Sequence, residues 1–100
     1  MEAWCYVKVH KFGKDVVVAV CDEELLGSSL CANGFEVKID KEFYGGERIP
    51  ISTLWDYLKE ATIVNAIGNH VVKAIAERIS VVTEAAVELE GKLHVQLILK

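Results

Sequence analysis

Residues 4–21 read WCYVKVHKFGKDVVVAVC, and this stretch decides the fold. In its first part, residues 4–11, small apolar residues alternate with aromatic and basic residues, which is typical of a half-buried strand. Residues 15–21 are apolar on both faces, as expected of a strand at the centre of a sheet. A short turn at Phe12-Gly13-Lys14 separates them, so the stretch predicts a β-hairpin.

A short helix is predicted directly after this hairpin. Asp22 is a good N-cap residue, acidic residues follow it in the first turn, and Gly27 ends the segment. Residues 28–34 are expected to form a loop. Residues 35–40 (FEVKID) alternate again and predict a third strand.

The second half of the chain predicts two helices and a second hairpin. After a loop at residues 41–50, apolar residues recur at helical spacing from the N-cap candidate Thr53 to about Ile67. A second helix is expected over residues 70–79. The strands of the last hairpin, residues 86–90 and 93–99, flank Gly91-Lys92.

These elements give the order ββ–short α–β–α–α–ββ in one domain over residues 1–100. Because the strands alternate polar and apolar positions, we expect an α+β fold: a mostly antiparallel sheet with helices packed on one face.

Composition narrows the function classes. The formal net charge of −4 argues against broad, sequence-independent nucleic-acid binding. No apolar run is long enough to span a membrane, and no signal-peptide layout begins the chain. The three cysteines form no C-x-x-C pair, which favours reduced thiols in the cytoplasm. An apolar content of 52% predicts some apolar surface that faces a partner.

The outward side of the first strand is the first candidate site. Trp4, Tyr6, Lys8 and His10 share one face at a period of two. Two aromatic rings beside two cationic groups suit a stacking platform for single-stranded nucleic acid. The alternative is that the protein's own helices, or a second copy of the chain, cover this face.

A glycine pair marks the second candidate. Phe43-Tyr44-Gly45-Gly46 leaves backbone N–H groups free to hold an anion. Alternatively, it is a structural turn anchored by the aromatic residues. Its context matches neither a dinucleotide-binding nor a phosphate-binding loop.

Polar residues near the second helix and on the last strand complete the candidates. Asn65 lies near the predicted junction of the two helices, where Asn69 either caps the second helix or leaves its start open to an anion. His94 and Gln96 face outward and line one polar surface with His10 if the terminal strands are neighbours.

Neither a metal site nor a cofactor is predicted, because the histidine spacings match no known ligand pattern. No catalytic residue is predicted either, since no serine has a G-x-S-x-G context and the acids are scattered. We therefore expect a non-catalytic binding module whose partner is RNA or a protein of the translation apparatus. The alternatives are a homodimeric structural protein and a small-molecule or anion-binding enzyme subunit that uses Gly45-Gly46.

Four short segments carry a resemblance to a known family. They are Cys21-Asp22-Glu23-Glu24-Leu25-Leu26-Gly27 after the opening strand pair, Phe43-Tyr44-Gly45-Gly46, Glu60-Ala61-Thr62-Ile63-Val64-Asn65-Ala66-Ile67-Gly68, and His94-Val95-Gln96. In their order and spacing the chain resembles, over nearly its whole length, the archaeal family known as domain of unknown function 424. It departs from that family at Leu93 and Val95, where Pro and Ala are expected. The resemblance implies an archaeal cytoplasmic protein without an established activity, with a link to translation or RNA metabolism.

Overall fold

The computed structural model describes residues 2–99. The strands are β1 (Trp4–Phe12), β2 (Asp15–Asp22), β3 (Ser29–Ala32), β4 (Phe35–Lys38), β5 (Glu47–Pro50), β6 (Ile63–Ile67), β7 (Val87–Leu89) and β8 (Lys92–Ile98). The α-helices are α1 (Lys41–Tyr44), α2 (Leu54–Leu58), α3 (Asn69–Ala76) and α4 (Val82–Ala85). Short 3-10 turns lie at Glu23–Leu25 and Ile51–Thr53. Within the described range, no helix has the length and apolar character needed to cross a membrane.

Six strands form one sheet in the order β5-β1-β2-β6-β8-β7, and β3 and β4 form a separate hairpin. All neighbours in the large sheet are antiparallel except β2 and β6. The sheet therefore consists of two antiparallel three-stranded units, β5-β1-β2 and β6-β8-β7. They meet along one parallel pairing of Val17–Cys21 with Ile63–Ile67.

The opening hairpin is confirmed. Phe12 pairs with Asp15 across a two-residue turn, and Gly13 there has a φ of 59°. This left-handed conformation suits glycine, which has no Cβ to clash with the backbone. The register fixes which side chains share a face along the sheet, because successive residues of a strand point to opposite sides.

Each face of the sheet carries its own core. On the first face, helices α2, α3 and α4 pack against the odd-numbered residues of β1 and the side chains in register with them. The buried strand residues of this core are Cys5, Val7, Val18, Val20, Ile49, Val64, Ala66, Val95 and Leu97. On the second face, the 3-10 turn after β2, the β3–β4 hairpin and α1 cover one end. The buried residues there are Ala19, Cys21, Leu25, Leu30, Ile39, Tyr44 and Ile67.

The α+β class and the mainly antiparallel sheet are confirmed, but the predicted order of elements is not. The helix predicted from Thr53 to about Ile67 ends at Leu58 instead, and Ile63–Ile67 forms the central strand β6. Val64 and Ala66 pack in the first core and Ile67 in the second. A strand buried on both faces has no alternation, and short apolar runs of this kind cannot be told from a buried helix by periodicity.

The predicted loops also contain regular structure. Residues 28–34 include β3, and residues 41–50 include both α1 and β5. Each of these elements is four residues long, too short to show a period. Because α1 lies over the second face, the helices are not confined to one side of the sheet.

Candidate functional site

The register of the large sheet brings several predicted site residues onto the second face. Lys8 pairs with Ala19, Ala19 with Asn65, and Asn65 with Gln96. Lys8, Asn65 and Gln96 therefore occupy one row across four strands. In the next row Tyr6, Cys21, Ile67 and His94 are aligned in the same way. The residues of β1 and β8 do share a face, although two strands separate them.

Helix α1 lies over the middle of β1. The Lys8 Nζ donates a hydrogen bond to the Glu42 carbonyl oxygen at 2.8 Å. The His10 Nε2 donates to the Phe43 carbonyl oxygen at 2.8 Å, and the two rings stack with centroids 4.9 Å apart. Tyr6 is half-buried against the second core. These side chains anchor the covering layer, so the predicted platform is closed at Tyr6 and Lys8, while His10 lies at the edge of the cover.

Trp4 lies at the edge of this surface. Its side chain is 37% exposed, and the guanidinium carbon of Arg48 lies 4.2 Å from the ring centroid. Arg48 also forms a salt bridge with Glu23. A cation–π contact within the chain therefore occupies one face of the indole ring.

The glycine pair packs against its own surroundings. A Cβ atom at Gly46 would lie 2.1 Å from the Val7 carbonyl oxygen, and one at Gly45 would lie 2.4 Å from the Lys41 carbonyl oxygen. Both positions require glycine because the backbone approaches β1 and the start of α1 so closely. This contact supports the structural interpretation of the loop.

Tyr44 connects the loop to the sheet. Its hydroxyl donates to Asn65 Oδ1 at 2.5 Å, and Asn65 Nδ2 lies 3.4 Å from Gln96 Oε1. Burial, with a smaller contribution from the charge of Cys21, raises the pKa of Tyr44 to about 12. Tyr44 is therefore a neutral donor, and the three side chains form a chain from the second core to the exposed amide of Gln96.

The other end of the second face is open and apolar. Val17, Ile63 and Ile98 follow one another across the sheet, and Ile98 is 76% exposed. Phe12, 62% exposed, stacks on His10 with centroids 6.1 Å apart and an interplanar angle of 7°. We call these five residues, His10, Phe12, Val17, Ile63 and Ile98, the open patch.

The two most exposed members of this patch, Phe12 and Ile98, are not among the residues predicted from the sequence. The sequence predicts Phe12 in the turn, but strand β1 continues through it. Its period-two relation to His10 would have placed it on the same face. Ile98 follows Gln96 at the same period on β8.

A second arrangement lies at the start of α3. The carboxylate of Asp22, which is 2% exposed, accepts hydrogen bonds from the backbone N–H groups of His70 at 3.1 Å and Val71 at 2.9 Å. The Nδ1 of His70 lies 3.3 Å from Asp22 Oδ2. A Cβ at Gly68, where φ is 121°, would lie 2.3 Å from the Asp22 Cγ. Glycine at 68 is therefore required by both backbone conformation and space.

Two predictions about capping are corrected here. Asp22 makes no side-chain cap to the 3-10 turn that follows it. Asn69 does not cap α3, because its Oδ1 accepts from Leu93 N at 2.9 Å and its Nδ2 donates to the Gly91 carbonyl at 3.1 Å. The anion that the sequence analysis allowed at this helix start is the chain's own Asp22.

The thiols and His94 show no sign of activation. Burial, reinforced by the charge of Asp22, raises the pKa of both Cys5 and Cys21 to about 12. At the exposed Cys31, a hydrogen bond with Glu90 and the charge of that carboxylate raise the pKa of the thiol. Burial lowers the pKa of His94. All three thiols are therefore held in the protonated form, which is the poorer nucleophile.

Two comparisons relate the chain to known proteins. Residues 10–99 match the family model described as protein of unknown function (DUF424). The chain is also similar to the crystal structure of an uncharacterized conserved protein from Methanopyrus kandleri, with 28% sequence identity and a TM-score of 0.77. That similarity covers 97% of this chain and 92% of the other. None of the curated proteins matches.

Proposed function

The chain belongs to the family described as protein of unknown function (DUF424), and from its structure we propose that it is a non-catalytic binding module whose recognition surface is the open patch. Family membership brings no activity with it. The proposed role therefore depends on which surface is left uncovered and on its chemistry.

One observation carries the proposal: the protein's own second layer covers only one end of the second face. At the covered end Ala19, Cys21 and Ile67 are fully buried. At the other end the sheet continues with Phe12 and Ile98 at 62% and 76% exposure. Exposed apolar side chains gathered on one sheet face favour a ligand that completes the missing cover.

The ring stack favours single-stranded RNA as that ligand. The rings of Phe43, His10 and Phe12 stack in that order and are nearly parallel, with interplanar angles of 17° and 7° between neighbours. The stack ends at the exposed Phe12, where a base can add another ring. The exposed amide of Gln96 offers both a donor and an acceptor in the neighbouring row.

The charge of the chain determines how its affinity for RNA should depend on salt concentration. The net charge is −4, and Lys8 already donates to Glu42. An acidic net charge disfavours a large number of phosphate contacts. We expect the affinity to depend on stacking and to fall only weakly as salt is raised, in contrast to proteins with many phosphate contacts.

The test is fluorescence anisotropy with a labelled single-stranded RNA of mixed sequence. Phe12→Leu removes the ring but keeps an apolar side chain. Stacking contributes about 1–3 kcal/mol per base, so we expect binding to weaken about 5- to 150-fold. The matched control is Phe35→Leu, because Phe35 is 75% exposed on the separate β3–β4 hairpin. Equal affinity of the two variants, or no binding by the unaltered protein, contradicts the RNA proposal.

The second candidate function is that of a homodimeric protein whose two copies meet through the open patch. The aliphatic residues of the patch favour it. Val17, Ile63 and Ile98 make a continuous apolar row that suits burial against a copy of itself better than contact with phosphates. Sedimentation velocity across a concentration series measures this directly. Ile98→Lys is expected to abolish self-association, whereas Phe12→Leu leaves it largely intact. A protein that remains monomeric at every concentration rules out the dimer.

A further inference from the structure

We propose that Asp22, Glu24 and His70 form a binding site for a first-row divalent cation, with Zn²⁺ the best-matched ion. Among the described residues, one ligand atom from each lies within 4.8 Å of the others. The proposal goes beyond the open patch, since these residues lie where the end of β2 and the turn after it meet the start of α3.

The first argument is the spacing of two ligand atoms. His70 Nδ1 and Asp22 Oδ2 are 3.3 Å apart. Bonds of about 2.0–2.2 Å from Zn²⁺ to nitrogen and oxygen at a tetrahedral angle place two ligand atoms about 3.4 Å apart. This pair is therefore already spaced as two ligands of one tetrahedral ion.

The second argument is that Asp22 is rigidly oriented yet still has capacity to bind. The helix N–H groups of His70 and Val71 take one acceptor site on each carboxylate oxygen. An ionised carboxylate offers about four such sites, so each oxygen keeps a further one. Hydrogen bonds of this kind fix the orientation of a metal-binding carboxylate and strengthen the site.

The third argument is charge and access. The two carboxylates of Asp22 and Glu24 match the charge of a divalent cation. The side chain of His70 is 61% exposed and Glu24 is exposed, so both can adjust their rotamers around an incoming ion. Water would complete the fourth position.

The chemistry of the donors selects the class of ion. One imidazole with two carboxylates suits Zn²⁺ and neighbouring transition metals, whereas Ca²⁺ and Mg²⁺ prefer sites made of oxygen alone. Bound metal would join the end of β2 to the start of α3, two elements that Asp22 already links. The ion would therefore stabilise the folded state by an amount that grows with the logarithm of its concentration above the dissociation constant.

The test is isothermal titration calorimetry with ZnCl₂. The protein carries Cys31→Ser, which removes the exposed thiol as a competing ligand. We expect one ion per chain, and a loss of affinity of about tenfold or more in His70→Ala and in Glu24→Gln. Both side chains are exposed, so neither variant should unfold the protein. Glu60→Gln, an exposed acid at the other end of the molecule, is the matched control and should bind as before.

Imidazole NMR signals give a second, independent readout. On addition of Zn²⁺ the ring signals of His70 should shift, while those of His10 and His94 serve as internal references and should not. Absence of binding heat, undiminished affinity in His70→Ala, or equal perturbation of all three histidines each overturns the proposal.

Discussion

Replacing Asp22 by Asn tests the claim that a buried carboxylate holds the start of α3. The substitution keeps the shape of the side chain but leaves one oxygen where there were two. The carboxylate now receives hydrogen bonds from the N–H groups of His70 and Val71. In the variant, one of these N–H groups faces an amide NH₂ and loses its acceptor.

The expected loss follows from two contributions. A hydrogen bond to a charged group contributes about 1.5–3 kcal/mol. The favourable interaction of the negative charge with the helix N-terminus adds about 0.3–1 kcal/mol. We therefore expect Asp22→Asn to lower the free energy of unfolding by about 2–4 kcal/mol, the sum of these two ranges.

The assay is equilibrium unfolding in urea with a chelator present, so that no metal contributes. Asp40→Asn is the control, because Asp40 caps α1 through Glu42 N at 2.9 Å but is exposed. Asn is nearly as good an N-cap as Asp, so this change should cost only a few tenths of a kcal/mol. A loss at Asp22 no larger than that at Asp40 would refute the reasoning.

A double-mutant cycle with Gly68→Ala makes the same test sharper. A Cβ at 68 would lie 2.3 Å from the Asp22 Cγ, so the carboxylate must move away from the helix start. Once the carboxylate has moved, its hydrogen bonds to the start of α3 are already weakened. Asp22→Asn should then lower the free energy of unfolding clearly less in the Gly68→Ala background than in the unaltered protein. Additive losses would show that the two residues act separately.

Three further predictions follow from buried groups. Because burial lowers the pKa of His94 below its ordinary 6.5, the unfolded chain takes up a proton at higher pH than the folded one. The folded state therefore keeps its stability above pH 6.5 and loses it as the pH falls through the pKa of His94 in the folded protein. Urea unfolding checks this: between about pH 7.5 and about pH 5, His94→Gln should lose less stability than the unaltered protein. A thiol reagent should modify only the exposed Cys31 in the native protein and all three cysteines after denaturation; rapid native labelling of Cys5 or Cys21 contradicts the burial. Tyr44→Phe should destabilise by about 1–2 kcal/mol through its lost bond to Asn65, whereas Tyr57→Phe, whose exposed hydroxyl donates to Glu47, should change little in the same urea titration.

The sequence predicts those parts of the fold in which the periodic pattern of apolar residues is complete within one segment. The hairpin at β1 and β2 shows alternation, a glycine turn and an apolar second strand together. The last hairpin and α3 have similar local signals. For β6 no such signal exists, because Val64 and Ile67 pack into different cores and the whole strand is apolar except Asn65. The β-branched residues Ile63 and Val64 were the one cue that favoured a strand.

The candidate sites divide in the same way. Period two placed the β1 and β8 candidates on the second face, and the structure puts them there. Which end of that face is covered depends on α1, a four-residue helix with no periodicity to read. The sequence predicts Asp22 as a local cap, whereas its true partners, His70 and Val71, lie 48 and 49 residues away along the chain. Contacts at such separations leave no pattern in a single sequence.

The lone parallel pairing of β2 with β6 has a consequence for how the protein folds. Each three-stranded unit can assemble from its own half of the chain, around a hairpin that closes locally. Their union requires residues 17–21 to find residues 63–67 across the intervening segment, and the loss of chain entropy in doing so comes before any stabilising contact. We infer that the rate-limiting step is the meeting of two partly formed halves at this seam.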